Sequence, residues 1–216
     1  MSEFLLDTGR AERIGFGEAV YAAGKSVQQI AAILDDAAAR EASLLLTRLD
    51  VERHAGLPTW QRDRMDYDPL SRTAMFGEPC PMLPSEAVAV VTAGTSDVPV
   101  AREALRTLAF NGRGARLIAD VGVAGLWRLL SRAEELRGFR VVIVAAGMDA
   151  ALPSVVGGLV PGVVIAVPTS VGYGVAAGGT TAPHAILASC APGLVTVNID
   201  NGYGAACAAL RVLGRG

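Results

Sequence analysis

The chain has 216 residues, of which 51% are hydrophobic and 19% charged, with a formal net charge of −2. That length holds one large domain or a domain with an appendage, and the apolar content argues for a well-buried core. The small net charge leaves no field to draw nucleic acid or an anionic membrane, so neither is expected as a partner.

Residues 1 to about 56 read as helical. Ser26 with Gln29 is a capping-box signature, and Val27, Ile30, Ala31, Leu34 and Ala38 share a helical face behind it. Ser43 to Leu49 has the character of a short strand. Residues 57–84 carry Pro58, Pro69, Pro79, Pro81 and Pro84 between charges, which reads as a linker or wrapping arm. The predicted division is 1–84 for a small, mainly helical N-terminal region with its linker, and 85–216 for a catalytic domain.

From Glu86 the pattern changes. Ala87 to Thr92 is a continuous apolar run, as in a strand buried on both faces. Pro99 opens a helix that ends at Asn111-Gly112. Strands are then predicted at 115–119, 139–145, 163–167 and 194–199, with helices at 126–136, 150–159, 180–189 and 203–213. This alternation predicts an α/β fold, a doubly wound five-stranded parallel sheet with helices on both faces. The most apolar stretch, Val141 to Val171, is interrupted by Asp149, three prolines and several glycines, so it reads as buried strands and turns and not as a membrane span.

Ligands of open parallel sheets bind beyond the carboxyl ends of the strands. All five strand-end loops here combine glycine with an acid or hydroxyl: Gly94-Thr95-Ser96-Asp97, Asp120 to Gly125 with Gly122, Gly147-Met148-Asp149, Pro168 to Gly174 followed by Gly178-Gly179, and Asp200-Asn201-Gly202-Tyr203-Gly204. A glycine after a strand is often only a tight turn, but five such loops together favour a phosphate or ribose ligand held by backbone N–H groups. The candidate substrate-binding residues are Gly94, Thr95, Ser96, Asp97, Asp120, Gly122, Ser170, Gly172, Tyr173, Gly174, Gly178, Gly179 and Asn201. Asp97 is a candidate acceptor of a ribose hydroxyl, and Asp149 a candidate acid or base; helix entry is the alternative for each. Neither the P-loop nor the dinucleotide fingerprint is present.

Cys80, Cys190 and Cys207 are sparse and odd in number, which fits a reducing, cytoplasmic setting. With His54 and His184 they form no zinc pattern. The first residues, Met1 to Asp7, lack the basic and apolar regions of a signal peptide. Cys190 closes a predicted apolar helix, where cysteine is usually core and where the helix end disfavours a thiolate. Lys25, the single lysine, and Arg48 are candidate phosphate contacts, with solvated surface as the alternative.

The runs Ala93 to Asp97, Asp120 to Gly125, Ser154 to Leu159, Val167 to Gly174 and Val197 to Gly204 resemble the LarB family of nickel-pincer nucleotide cofactor biosynthesis, whose C-terminal domain is similar to PurE. A looser N-terminal match is carried by Gly24-Lys25-Ser26, Thr47-Arg48 and Arg72-Thr73. The resemblance implies carboxylation of nicotinic acid adenine dinucleotide at C5 of its pyridinium ring and hydrolysis of its phosphoanhydride. The products are pyridinium-3,5-biscarboxylic acid mononucleotide and AMP. It implies Cys190 as nucleophile, Mg²⁺ as cofactor, CO2 or bicarbonate as co-substrate and a homo-octamer. The family usually has Glu at Asp149 and often His at Trp127. Two other readings remain at this point. One is a purine-pathway carboxylase or mutase of the PurE type, although its Ser-Ala-His-Arg-Thr-Pro segment is missing. The other is a nucleotide-binding protein without turnover.

Overall fold

Ser26 caps the first long helix as its sequence predicts: its hydroxyl accepts from the Gln29 N–H, and the Gln29 side chain accepts from the Ser26 N–H at 3.0 Å. The computed structural model describes residues 4–214. Met1 to Glu3, part of the segment read for a signal peptide, lie outside them. The N-terminal unit runs α1 (Arg10–Ile14), β1 (Ala19–Tyr21), α2 (Val27–Ala39), β2 (Leu44–Thr47), α3 (Val51–Gly56), α4 (Thr59–Arg62), β3 (Met65–Asp68) and β4 (Thr73–Phe76).

The expected helix α2 is present, but its buried face is Ile30, Ile33, Leu34 and Ala37, turned towards Ile33 from the predicted stripe. It covers a four-stranded sheet of order β1-β2-β4-β3, in which only β1 and β2 are parallel. The sequence shows one of these strands, β2, because it is entirely buried. The stretch read as linker instead contributes β3 and β4. β3 holds Asp66 and Asp68, which hide its strand character, and both are spent on arginines of the next unit.

Glu86 opens the second unit: β5 (Glu86–Thr92), α5 (Val98–Phe110), β6 (Gly114–Ile118), α6 (Leu126–Leu130), α7 (Ala133–Arg137), β7 (Val141–Ala146), α8 (Ala151–Gly157), β8 (Val163–Pro168), α9 (Thr181–Leu187), β9 (Val195–Thr196) and α10 (Gly202–Leu213). The five strands form one parallel sheet of order β6-β5-β7-β8-β9. β7 is buried along its whole length, as the unbroken apolar run requires. One face packs on α5 and α10 through Ala101, Ala104, Leu108, Ala205 and Ala209. The other packs under α6 to α9 through Leu129, Leu136, Leu152, Val156 and Ile186. The single helix predicted over 126–136 is two. The Ser131 hydroxyl donates to the Arg128 carbonyl at 2.8 Å, a local bond that competes with the helical ladder at the break. β9 is two residues where six were predicted. Among the described residues no helix is long and apolar enough to cross a membrane.

The N-terminal unit docks on α5. Arg102 pairs with Asp68 at 2.9 Å, and Arg106 with Asp66 at 3.1 Å and the Thr73 hydroxyl at 2.7 Å. Burial alone would raise the Asp68 pKa, but Arg102 and the Ser71 hydroxyl outweigh it and bring the carboxyl down to about 2. Leu45, Met75 and Phe110 fill the apolar part of the junction. Past α5, the Cys80 N–H donates to the Phe110 carbonyl and the Leu83 N–H to the Gly112 carbonyl, which ties down the connecting segment.

Candidate active site

In a parallel sheet of this order the chain leaves β5 first to one side and later to the other, so the crevice lies between the carboxyl ends of β5 and β7. Gly94 to Asp97 and Gly147 to Asp149 are the loops at that point. Asp97 knits them together. One carboxylate oxygen accepts from the Gly94 N–H at 2.9 Å, the other from the Thr169 hydroxyl at 2.6 Å, and the Gly147 N–H contributes a further bond. Burial pushes the Asp97 carboxyl up, against those bonds. At 3% exposure its carboxylate is turned inward and organises the loops.

Gly147 sits where a side chain cannot. A Cβ there would lie 2.7 Å from the Thr169 hydroxyl and against the Val171 carbonyl. That carbonyl accepts the Met148 N–H at 2.8 Å, joining the loops after β7 and β8. Asp149 stands exposed between Met148 (φ 53°) and Ala150 (φ 46°), and its carboxylate accepts a long bond, 3.4 Å, from the Ala151 N–H. Left-handed backbone on non-glycine residues costs roughly 1 kcal/mol each. Among the described residues seven non-glycine residues have positive φ, and six of them (Arg48, Arg72, Asp120, Met148, Ala150 and Asp200) flank this carboxyl edge or face it from the N-terminal unit. Strain concentrated in this way marks a working site rather than scattered turns.

Two other predicted binding residues have structural duties. The Gly122 N–H is spent on the Ala93 carbonyl at 2.8 Å, and a Cβ at Gly122 would lie 2.7 Å from that oxygen. The Asn201 side-chain oxygen caps α10 by accepting the Gly204 N–H at 2.7 Å. In both residues these groups are engaged within the chain. Asp120 is exposed but holds Arg128 at 2.7 Å.

The groups left open are the exposed Thr95, Ser96 and Ser170 and the glycine-rich segment above them. In that segment Gly172 packs close to the Ala176 carbonyl and Gly179 close to the Thr169 carbonyl, whereas Gly174 (φ 57°) and Gly178 (φ 71°) have open space around them. Tyr173 is 76% exposed. The Ser170 N–H donates to Asp200 at 2.8 Å, and the Asp200 carbonyl accepts from Arg48. Arg48 also pairs with the buried Glu103 at 3.3 Å, and the other Glu103 oxygen accepts the Tyr203 N–H at 3.2 Å. The N-terminal unit therefore reaches the site through Arg48. Glu103 and Thr169 carry this architecture unannounced by any sequence pattern, because a Glu inside a helix and a Thr inside a glycine-rich run look ordinary.

Cys190 is placed elsewhere. It is exposed, contrary to the core position its apolar helix favours. α9 descends from the glycine-rich segment towards the start of β9, and Cys190 follows it. Its neighbours pack on α8: the Ser189 hydroxyl meets that of Ser154 at 2.6 Å, and Ala191 and Leu194 lie against Gly157, the last residue of α8. Asp149 precedes the other end of α8. Seven residues of helix, about 10 Å, separate the two ends of α8. Cys207 is half-buried against Tyr203, with burial pushing both groups' pKa values up. His184 is exposed on α9.

Residues 3–78 match the family model described as LarB/PurE-like N-terminal domain, and residues 87–216 the one described as AIR carboxylase. The chain belongs to the LarB family. This LarB-family chain is 36% identical over 207 residues to an uncharacterized protein of Methanocaldococcus jannaschii, covering 93% of the chain and 80% of the relative. A crystal structure of a Treponema denticola PurE2 variant is similar with a TM-score of 0.50 at 21% identity, over 58% of this chain and 78% of that one. This likeness shows the PurE-like fold of the second unit. Together the matches place the protein among PurE-like carboxylases.

Proposed function

We propose that the protein carboxylates C5 of the pyridinium ring of nicotinic acid adenine dinucleotide and hydrolyses the phosphoanhydride, releasing pyridinium-3,5-biscarboxylic acid mononucleotide and AMP. The observation that carries this reading is Cys190: a thiol in the open, flanked by residues that pack on α8, with no structural task of its own. A purine-pathway carboxylase gives such a thiol nothing to do.

The chemistry explains why a thiol is wanted. An electron-poor pyridinium ring does not attack CO2. Addition of the Cys190 thiolate at C4 turns the ring into an enamine whose C5 is nucleophilic. C5 bonds to CO2, Asp149 takes the C5 proton, and the C4–S bond breaks as aromaticity returns. Cysteine serves because it both adds and leaves readily. The cationic ring offsets the disadvantage of a helix end for a thiolate.

In this reading the thiol acts on a ring held by the strand-end loops of a second copy. The exposed apolar side chains flanking Cys190 support such an assembly, with Leu187 72% and Val195 45% exposed. The octamer implied by the PurE likeness would supply these contacts. Mg²⁺ belongs to the hydrolytic half of the reading. Among the described residues no group of three or more His, Cys, Asp or Glu side chains could hold a metal ion, so the residues present make no preformed cage, and no step is routed through the ion.

The test is incubation of the protein with nicotinic acid adenine dinucleotide, ¹³C-bicarbonate and Mg²⁺, followed by mass spectrometry. The expected products are AMP and a mononucleotide heavier by one labelled carboxylate. AMP without the labelled mononucleotide, or neither product, would overturn the proposal.

A further inference from the structure

β2 and β4 pair antiparallel, with Leu44 opposite Phe76 and Leu46 opposite Ala74. Arg48 directly follows β2 and Arg72 directly precedes β4, so both lie at the same end of this pair, where the Leu49 N–H donates to the Arg72 carbonyl at 2.8 Å. Both residues adopt left-handed backbone, at φ 57° and 54°, which glycine or asparagine would adopt at less cost. The fold thus tolerates backbone strain at two arginines at one end of a sheet.

Their surroundings differ. Arg48 is matched by Glu103 and by the Asp200 carbonyl. Arg102 and Arg106, on the helix beneath, are matched by Asp68 and Asp66. The Arg72 side chain is exposed and has no hydrogen bond or ion pair among the described residues; its charge is felt by Asp50 and Tyr67 at a distance. The loop that carries it is nonetheless held firmly, because the Ser71 hydroxyl bonds Asp68 at 2.6 Å and Arg106 holds Thr73 at 2.7 Å. An unmatched cation on an anchored loop is placed for something outside the chain.

It lines a cleft of about 150 Å³ between the two units. Arg48, Leu70, Ser71 and Arg72 form one wall, and Ser96, Ser170 and Asp200 part of the other. That volume suits one phosphate-sized anion and falls well short of the several hundred Å³ that a whole nucleotide needs. The carboxylates in the wall are already turned to donors, Glu103 to Arg48 and Tyr203, Asp200 to the Ser170 N–H. What remains for a ligand is the Arg72 guanidinium with the Ser96 and Ser170 hydroxyls. A planar fork of N–H donors beside two hydroxyls is the chemistry that grips a phosphate oxygen pair.

We infer that Arg72 is a phosphate clamp reaching from the N-terminal unit onto a nucleotide held by the strand-end loops, so that this unit completes the substrate site from above. The inference rests on the nucleotide reading of the site, but it specifies a contact that the reading does not contain.

The experiment is calorimetric titration of the wild type, Arg72→Ala and Arg72→Lys with nicotinic acid mononucleotide, nicotinic acid riboside and AMP, with each variant's thermal melt as a control on folding. Arg72→Ala is expected to weaken mononucleotide binding about tenfold or more, leave riboside binding unchanged, and be partly rescued by Arg72→Lys. Equal losses for mononucleotide and riboside, no loss for either, or no binding of any phosphorylated probe by the wild type would overturn the clamp. If the nicotinic ligands fail to bind while AMP affinity falls in Arg72→Ala, the clamp stands and the nicotinic substrate is the part that fails.

Discussion

Cys190→Ala is expected to lower carboxylation at least about 1,000-fold, since a covalent route loses its nucleophile outright. The same change should leave stability within about 0.5 kcal/mol, because the side chain is exposed and fills no core. Dinucleotide affinity should fall little, because the proposed phosphate and ribose contacts come from the strand-end loops and not from the thiol. Labelled-carboxylate incorporation, urea denaturation and calorimetric titration read the three quantities separately. Retained incorporation would remove the thiol from the chemistry. A large loss of stability would make Cys190 a packing residue.

Asp97→Ala should act in the opposite way, through structure. The substitution strands the Gly94 N–H and the Thr169 hydroxyl, and Thr169 has no exposure to recover its bond from water. Leaving two such groups unsatisfied costs about 3 kcal/mol. It also frees the loops after β5, β7 and β8 from their common anchor, so turnover should fall with stability. Asp97→Asn keeps one acceptor and loses the other, and should fall between the wild type and Asp97→Ala in a urea titration. An Asp97→Ala protein with wild-type stability and a selective loss of ribonucleoside binding would restore the ribose-acceptor role that the geometry argues against.

The parallel sheet was legible because its strands are buried on both faces and its helices start at recognisable signals, Pro99 being one. Strand order was not, since it depends on which strands meet across crossovers. The N-terminal sheet was largely hidden because its strands span three or four residues, too few for a period to show, and because Asp66 and Asp68 mimic a polar linker while serving arginines on α5. The site was legible as a set of five glycine-bearing loops. Which atoms in them remain free was not: Gly122 and Asn201 look like ligand residues in sequence, and only the folded contacts reveal that their donor and acceptor are taken. The reverse holds for Arg72, an ordinary surface arginine until the fold sets it in one cleft with Arg48, Ser96 and Ser170.

The proposed site joins Cys190 of one copy to the strand-end loops of another. Cys190→Ala supplies intact loops without a thiol, and Asp149→Asn supplies a thiol beside loops that lack the base. Each should be inactive alone. Unfolding the two together, refolding them as a mixture and measuring labelled-carboxylate incorporation tests the claim directly. Activity in the mixture, absent from either variant refolded alone, is the predicted result, because some sites then combine a wild-type thiol from one copy with wild-type loops from its neighbour. A mixture as inactive as its components, in assemblies verified to contain both chains, would contradict a site shared between copies.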